Sequence, residues 1–212
     1  SIYAGLKQAV ENNGGSVELS ADDSWVKKPD VAVVVFGEEP YAEGVGDIES
    51  LVYRDGYKAD LDLLKSLKAK NVPVVAVFLT GRPLWMNAEL NSSDAFVVAW
   101  LPGSEGVGVA DVMVADNAGK ARYDFTGRLS FDWPNSELDG EIISAPVSDF
   151  LLTRGQGLSY GDAEIIADNL NTTPLMDASK AARVVFSGSA RPPFKTYVGD
   201  SSNWQKLVQG NK

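Results

Sequence analysis

Three short runs of apolar residues, none with a charged side chain in its interior, limit the fold of this chain more than any other feature. They lie within residues 30–37, 72–80 and 95–101. Their apolar residues follow one another without alternation, which is typical of parallel strands whose sheet is covered on both faces. We therefore predict three parallel strands that are buried on both faces, with helices on either side of the sheet.

Segments with helical spacing precede, separate and follow these runs. In each of them apolar residues recur three or four positions apart, so that they share one face of a helix. These positions are Ile2, Leu6, Ala9 and Val10 at the start, Leu63, Leu64 and Leu67 within residues 57–70, and Val109, Val112 and Met113 within residues 106–115. Residues 12–15, Asn-Asn-Gly-Gly, predict the end of the first helix, because glycine suits a left-handed helix cap. This order predicts the α/β class, with an open, mostly parallel sheet flanked by helices.

The absence of cysteine and histidine excludes several kinds of chemistry. Without cysteine the chain forms neither a disulfide framework nor a thiolate metal site. Without histidine it cannot build a serine–histidine or cysteine–histidine nucleophile, so acid–base work would fall mainly to carboxylates, lysine or tyrosine. The net charge of −10 argues against nucleic acid as a partner and is compatible with a neutral sugar, although it is also ordinary for a soluble protein. No apolar stretch approaches the roughly 18 residues of a membrane-spanning helix, so no membrane span is predicted.

Loops at the carboxyl ends of the predicted strands are the expected place for a ligand. These loops comprise residues 38–48, 81–84 and 102–106. The first is the longest and carries the carboxylates of Glu38, Glu39, Glu43 and Asp47. Such a cluster is compatible with a metal site, with an acid–base site, or with a solvated acidic loop that has no chemistry. The loop does not match the alternating Asp and Asn of a calcium-binding loop, which argues against a metal.

The other two loops are interpreted as structural. Arg82 directly follows the end of a strand, where its guanidinium could hold a neighbouring carboxylate through two hydrogen bonds. Ser104 and Glu105 precede a predicted helix, where Ser104 would cap the free amides and Glu105 would complement the helix dipole. Residues 101–106 lack the lysine of a phosphate-binding loop, which argues against a flavodoxin-like nucleotide-binding function.

Five segments, in this order and spacing, resemble signatures of the exo-acting β-glucosidases and glucan exohydrolases of glycoside hydrolase family 3. The acidic loop at residues 37–47 resembles the acid/base loop of that family. The remaining four are the Gly-Arg-Pro turn at 80–84, the Trp-Leu-Pro-Gly segment at 99–112, the segment at 125–134 and the short sequence at 155–160. The resemblance covers residues 1–160 and implies the α/β sandwich domain that follows the barrel domain in this family.

The resemblance also implies that the two catalytic residues lie on different domains. A barrel domain, absent from this chain, carries an aspartate nucleophile, and a loop of the sandwich domain carries a glutamate that acts as general acid/base. The motif match gives that role to Glu43, with Glu38 as the rival that more simply anchors the base of the loop. Arg82 and Glu105 are implied to be structural loop residues. The implied substrate is a β-glucan or β-glucoside oligosaccharide, and no metal or organic cofactor is required.

The sequence and the resemblance also give expectations for the domain boundaries and for the cellular location. Residues 1–160 form the sandwich domain, whose N-terminal edge is expected to be missing. Residues 161–212 form a linker and the start of an extra β-type module, because residues 183–187 and 194–198 are strand-like. The resemblance implies a bacterial periplasmic or secreted hydrolase, of which this chain alone would be inactive. The alternative is a non-catalytic carbohydrate-binding or interaction module on the same scaffold.

Overall fold

The computed structural model describes residues 1–48, 50–137, 150–162 and 166–174, and the backbone of the two strands Tyr197–Asp200 and Asn203–Lys206. The chain forms two compact units, Ser1–Leu175 and Met176–Lys212, which are treated separately below. The first unit holds every residue that the sequence singles out for chemistry.

A three-stranded parallel sheet forms the centre of the first unit. The strands are β1 (Ala32–Gly37), β2 (Val74–Leu79) and β3 (Ala95–Trp100), and β2 lies in the middle. Valine and phenylalanine dominate all three, and such β-branched and aromatic side chains fit a pleated, buried surface. The register sets Phe36 beside Phe78, and because both pairings are parallel, all carboxyl ends lie at one edge of the sheet. This sheet, with the helices around it, confirms the predicted α/β class.

Four helices accompany the sheet: α1 (Ile2–Asn12), α2 (Ala59–Ala69), α3 (Asn87–Asn91) and α4 (Gly106–Met113). α2 connects β1 to β2 and packs on both, which is the crossover that a parallel pair requires. α1 ends where the sequence predicts, and Gly14 follows it with a φ of +78°. α1 and α4 pack closely, since a Cβ added to Gly5 would lie 2.8 Å from the Cα of Val107.

The hydrophobic core lies on the face of the sheet that α2 covers. Phe36, Tyr53, Phe78 and Phe96 form its aromatic centre, and the rings of Tyr53 and Phe78 meet edge to face at 5.1 Å. The buried members are Val34, Phe36, Tyr53, Leu64, Leu67, Val74, Ala76, Phe78, Leu84, Met86 and Trp133. Burial on this scale provides the main stabilisation of such a domain.

The expectation that all three strands are buried on both faces is wrong for the outer two. Ala76 and Val77, which point to opposite faces of β2, are both fully buried. In β1, however, Val35 is 42% exposed, and in β3 Ala95 is exposed. β2 has a neighbouring strand on each side, whereas in the described sheet β1 and β3 each have one. A continuous apolar run therefore predicts that a strand forms, but it does not predict how much of the strand's two faces is buried.

Smaller differences affect the helices. α2 buries Leu61, Leu64 and Leu67, whereas Leu63 is partly exposed. In α4 the buried positions are Gly106, Val109 and Ala110, and the predicted Val112 and Met113 are half-buried. Two of the three predicted positions are buried in α2 and one of three in α4, because packing against a neighbour selects among apolar positions that spacing alone leaves equivalent.

Two antiparallel pairs complete the described structure. β4 (Trp133–Pro134) pairs with β5 (Phe150–Leu152) in the first unit, a pairing that the sequence pattern does not reveal. β6 (Tyr197–Asp200) and β7 (Asn203–Lys206) form a hairpin in the second unit. The predicted strand at residues 183–187 lies outside the described residues, as does the part of the 194–198 run before β6. No helix in the described part of the chain has the length and apolar character needed to cross a membrane.

Candidate functional site

The acidic loop begins where β1 ends, at the carboxyl edge of the sheet. The backbone N–H of Glu38 donates to the carbonyl of Leu79 at 3.0 Å, which extends the β1–β2 pairing by one residue into the loop. A short 3₁₀ turn, Glu43–Gly46, forms the far part of the loop. The Gly-Arg-Pro turn, which follows β2, lies beside the loop. Ligands of open α/β sheets bind at this edge, as the sequence predicts for these segments.

Glu38 is fixed at the base of the loop. Its Oε2 accepts hydrogen bonds from the Thr80 hydroxyl at 2.6 Å and from the backbone N–H of Gly81 at 3.3 Å. Its Oε1 accepts one from Nε of Arg82 at 3.0 Å. The Glu38 side chain is 14% exposed, so three donors and the surrounding protein occupy its carboxylate. This carboxylate has a structural environment and little access for a substrate.

Arg82 bridges the beginning and the end of the loop. Besides its bond to Glu38, its Nη1 donates to the backbone carbonyl of Gly46. Its guanidinium carbon lies 4.0 Å from the centroid of the Tyr41 ring, a cation–π contact. One side chain from the neighbouring turn therefore contacts three points of the loop, before, within and after its outer bend.

Glu43 lies at the outer bend and has a different environment. It is solvent-exposed and opens the 3₁₀ turn. Within the described residues, no hydrogen bond or ion pair engages its carboxylate. Its φ of +49° is in the left-handed region, which non-glycine residues seldom adopt and which often marks a functional position. The turn thus holds a free carboxylate outward on a constrained backbone.

The other carboxylates of the loop do not join Glu43 in a metal site. Glu39 pairs with Arg54 at 3.0 Å, and Asp47 is exposed after the turn. No group of three or more carboxylates in the described residues is arranged to hold a metal ion. Glu43 is thus the exposed carboxyl group at the outer bend of the loop, with Asp47 exposed after the turn and Glu39 held by Arg54.

A second cluster flanks the loop near Glu39. The hydroxyl of Tyr53 lies 2.8 Å from both the carbonyl of Gly37 and Oδ2 of Asp60. Burial raises the pKa of Tyr53, and the adjacent Asp60 raises it further, so this hydroxyl stays protonated and donates. Arg54 pairs with Glu39 and Asp60, and its guanidinium stacks on Tyr57 at 3.8 Å. These contacts tie the end of β1 to the segment before α2.

Two aromatic residues at this edge are missed by the sequence argument. Tyr41, in the middle of the loop, is 38% exposed and packs under Arg82. Trp100 ends β3 with a φ of +53° and a ring 6.3 Å from that of Trp133. The backbone carbonyl of Trp100 accepts from the N–H of Thr80 at 3.2 Å, where the pairing of β2 and β3 shifts register. Neither residue type carries a periodic signal that would have indicated these contacts.

The third loop differs from expectation in its capping. Glu105 occupies the N-cap position of α4, and no side chain caps the helix there. The Ser104 hydroxyl donates to the Glu105 carboxylate at 3.0 Å, so the prediction that Ser104 caps free amides is wrong. Hydrogen bonds to an ionised acceptor are stronger than those between neutral groups, which favours this contact over capping. Both residues are exposed.

Comparison with known proteins relates the sequence and the fold of this chain to a family. A model of the glycosyl hydrolase family 3 C-terminal domain matches residues 1–160. The solved structure of an exo-1,3/1,4-beta-glucanase from a Pseudoalteromonas species is similar with a TM-score of 0.77 and 44% identity. That match covers 98% of this chain and 25% of the glucanase chain.

Curated relatives agree with this match. A periplasmic beta-glucosidase of Salmonella typhimurium is 33% identical over 134 residues, which are 61% of this chain and 16% of that protein. A lysosomal beta glucosidase of Dictyostelium discoideum is 32% identical over 168 residues, 74% of this chain and 19% of that protein. The chain therefore spans less than a fifth of the length of either relative.

Proposed function

The chain belongs to the glycosyl hydrolase family 3 C-terminal domain family, and from that premise we propose that it supplies the general acid/base of a retaining exo-acting hydrolase. The substrate that we propose is a β-glucan or β-glucoside oligosaccharide, from which terminal β-glucosyl residues are released. The similar proteins include two beta-glucosidases and an exo-1,3/1,4-beta-glucanase, which supports this substrate class.

Glu43 is the proposed acid/base, and its free, exposed carboxylate is the observation that carries the proposal. A proton donor must reach the glycosidic oxygen of a substrate held against another domain, so it has to lie on the outer part of a loop. Glu43 meets that condition at the bend of the acidic loop. Glu38 does not, because three donors occupy its carboxylate at the loop base. Arg82 and Glu105 are proposed as structural residues of the neighbouring loops.

The chemistry requires a partner carboxylate. Retaining glycosidases place two carboxyl groups about 5–5.5 Å apart, one attacking the anomeric carbon and the other protonating the departing oxygen. In our proposal an aspartate of a barrel domain attacks, and Glu43 donates its proton to the leaving group. After the sugar is bound covalently, Glu43 removes a proton from the incoming water, which completes hydrolysis with retention. We propose no metal or organic cofactor, and we expect this chain alone to be inactive.

The proposed arrangement of the chain and its location follow the same premise. Residues 1–160 form the sandwich domain, and residues 161–212 form a linker and the start of an extra β-type module. The similarity to a periplasmic beta-glucosidase supports a periplasmic or secreted bacterial enzyme. The loop would face the barrel domain, which is the partner that the acid/base needs.

Replacing Glu43 tests the proposal in an enzyme that joins this domain to its barrel. Glu43→Gln keeps the size of the side chain and removes its proton, so hydrolysis of substrates with poor leaving groups should fall by about 10²–10⁴-fold. With an activated aryl glucoside, whose departure needs no acid, azide replaces the water that needs a base, so it should restore turnover and yield a β-glucosyl azide. Asp47→Asn, another exposed carboxylate of the same loop, is the matched control and should stay near the parent rate.

The outcome also decides between the two candidate functions. A non-catalytic carbohydrate-binding or interaction module would leave hydrolysis unchanged in Glu43→Gln while altering retention on an insoluble glucan. Unchanged hydrolysis of poor-leaving-group substrates, with no azide product, contradicts the acid/base role of Glu43.

A further inference from the structure

We propose that Tyr41 is a positioning residue that holds Glu43 in the orientation needed for proton transfer. This inference rests on the proposed acid/base function of Glu43. Tyr41 precedes Glu43 by two residues and lies on the same loop, yet its side chain packs back onto the Gly-Arg-Pro turn. Its effect on the reaction would therefore act through the conformation of the loop.

The ring of Tyr41 fills a space between two glycines. A Cβ added to Gly46 would lie 2.8 Å from Cδ2 of the tyrosine ring, and one added to Gly81 would lie 2.5 Å from its hydroxyl oxygen. Neither distance is tolerated between real atoms, so both positions need glycine for this contact. The ring thus contacts Gly46, which ends the 3₁₀ turn, and Gly81, which lies two residues after the end of β2.

Arg82 packs on the face of the ring. Tyr41, Arg82 and Gly46 together form a contact that we call the clamp. Its guanidinium carbon lies 4.0 Å from the ring centroid, and its nitrogens bind Glu38 and the carbonyl of Gly46. The guanidinium is therefore locked over the ring by bonds at both ends of the loop. Removal of the ring would leave the arginine without its stacking surface and the turn without its packing.

The backbone hydrogen bonds at the two ends of the 3₁₀ turn provide little restraint. These bonds, Val45 N–H to Ala42 carbonyl at 3.2 Å and Asp47 N–H to Gly44 carbonyl at 3.3 Å, are long and lie in solvent-exposed surroundings. Glu43 adopts an unfavourable positive φ within it. A strained residue persists when its surroundings over-determine it. In this loop those surroundings are the clamp of Tyr41, Arg82 and Gly46.

The structure also contains a matched control for this contact. Arg54 stacks on Tyr57 at 3.8 Å, and Tyr57 is 42% exposed, close to the 38% of Tyr41. Tyr57 lies outside the acidic loop, just before α2. Removing its ring deletes a comparable stack of arginine on tyrosine without touching the segment that carries Glu43.

Kinetics of the enzyme joined to its barrel test the inference. In Tyr41→Ala, kcat for a substrate with a poor leaving group should fall by roughly tenfold to a hundredfold, since a misplaced catalytic group loses rate on that scale. KM should change little, and a substrate with an activated aryl leaving group should be nearly unaffected in its glycosylation step. Tyr41→Phe keeps the ring and should recover most of the rate, and Tyr57→Ala should match the parent.

A second variant keeps the test decisive where Tyr41→Ala lowers stability. Tyr41→Leu retains apolar volume without a face for the guanidinium, and thermal melting verifies that it is folded. It should show the same selective loss on poor leaving groups. Equal losses in the rate of the glycosylation step on good and poor leaving groups, or parent rates in both the alanine and leucine variants, overturn the positioning role.

Glu43→Gln, measured in parallel, separates the two proposals. If it leaves the rate on poor leaving groups unchanged, the proposed function itself fails. If it lowers that rate while the Tyr41 variants behave like the parent, the acid/base assignment stands and the inference about Tyr41 fails.

Discussion

The two glutamates that follow β1 form ion pairs of equal length with two different arginines, yet their surroundings differ. Glu38 meets Arg82 at 3.0 Å with side chains 14% and 21% exposed, whereas Glu39 meets Arg54 at 3.0 Å with side chains 76% and 28% exposed. Each arginine also stacks on a tyrosine, Tyr41 or Tyr57. The distance within a pair therefore does not reveal its contribution, which depends on burial and on further donors.

The Glu38–Arg82 pair, called the inner pair here, connects more of the structure than the Glu39–Arg54 pair, called the outer pair. The carboxylate of Glu38 receives two donors besides Arg82, and Arg82 continues to the far end of the acidic loop at Gly46. The outer pair lies at the surface, where ion pairs contribute about 0–1 kcal/mol. We infer that the inner pair sets the shape of the loop and that the outer pair tolerates substitution.

The largest expected difference in the free energy of unfolding is that between removal of the Glu38 charge and removal of the Glu39 charge. Glu38→Gln loses charge-assisted hydrogen bonds in a mostly buried site, so the free energy of unfolding should fall by about 2 kcal/mol. Glu39→Gln is the control at the adjacent position. Urea denaturation of the chain measures both, and equal losses would show that burial does not distinguish the two pairs.

A substitution at Tyr53 tests which group anchors the second cluster, which contains Tyr53, Arg54, Tyr57 and Asp60. Tyr53→Phe removes the hydroxyl that lies between Gly37 and Asp60, and the free energy of unfolding should fall by about 1–2 kcal/mol at neutral pH. A comparable loss in Arg54→Gln, rather than in Tyr53→Phe, would assign the anchoring to the ion pairs.

The same hydroxyl predicts a pH dependence. Because the folded-state pKa of Tyr53 is raised, its contribution is complete below the ordinary tyrosine pKa of about 10 and is lost as the pH rises above it. Between pH 9 and pH 11, unfolding measurements should show stability falling more steeply in the parent chain than in Tyr53→Phe. Parallel slopes would mean that Tyr53 does not stay protonated through its burial and its contact with Asp60.

Salt should produce the smallest effect of the series. The Arg54–Glu39 pair is largely exposed on the glutamate side, so raising the salt concentration to about 1 M should remove most of its contribution of at most about 1 kcal/mol. The Arg82–Glu38 pair should respond less. Double-mutant cycles at low and high salt compare the two coupling energies, and a greater salt dependence of the inner pair would reverse the order that we expect.

Much of this fold is predictable because apolar runs and helical spacing are local signals. The runs at residues 30–37, 72–80 and 95–101 each became one strand, shortened by up to two residues at an end. The meeting of three loops at one edge follows from parallel strands alone. The partial exposure of Val35 could not be predicted, because it depends on which elements cover the outer strands.

Less of the site is predictable, because its contacts join residues far apart in sequence. Position alone indicated an acidic loop after one strand and Arg82 after the next, and the family resemblance selected Glu43 within that loop. The stacking of Arg82 on Tyr41 and the positive φ of Trp100 have no counterpart in spacing or composition. Ser104 shows the opposite case, since a good capping residue donates instead to the carboxylate beside it.

The pH profile of kcat/KM tests the central claim about Glu43 most directly, in the enzyme that joins this domain to its barrel. The alkaline limb of that profile reports loss of the proton from the general acid. We predict that Glu43→Gln abolishes the alkaline limb while Glu38→Gln retains it. An alkaline limb that persists in Glu43→Gln and disappears in Glu38→Gln would contradict the account.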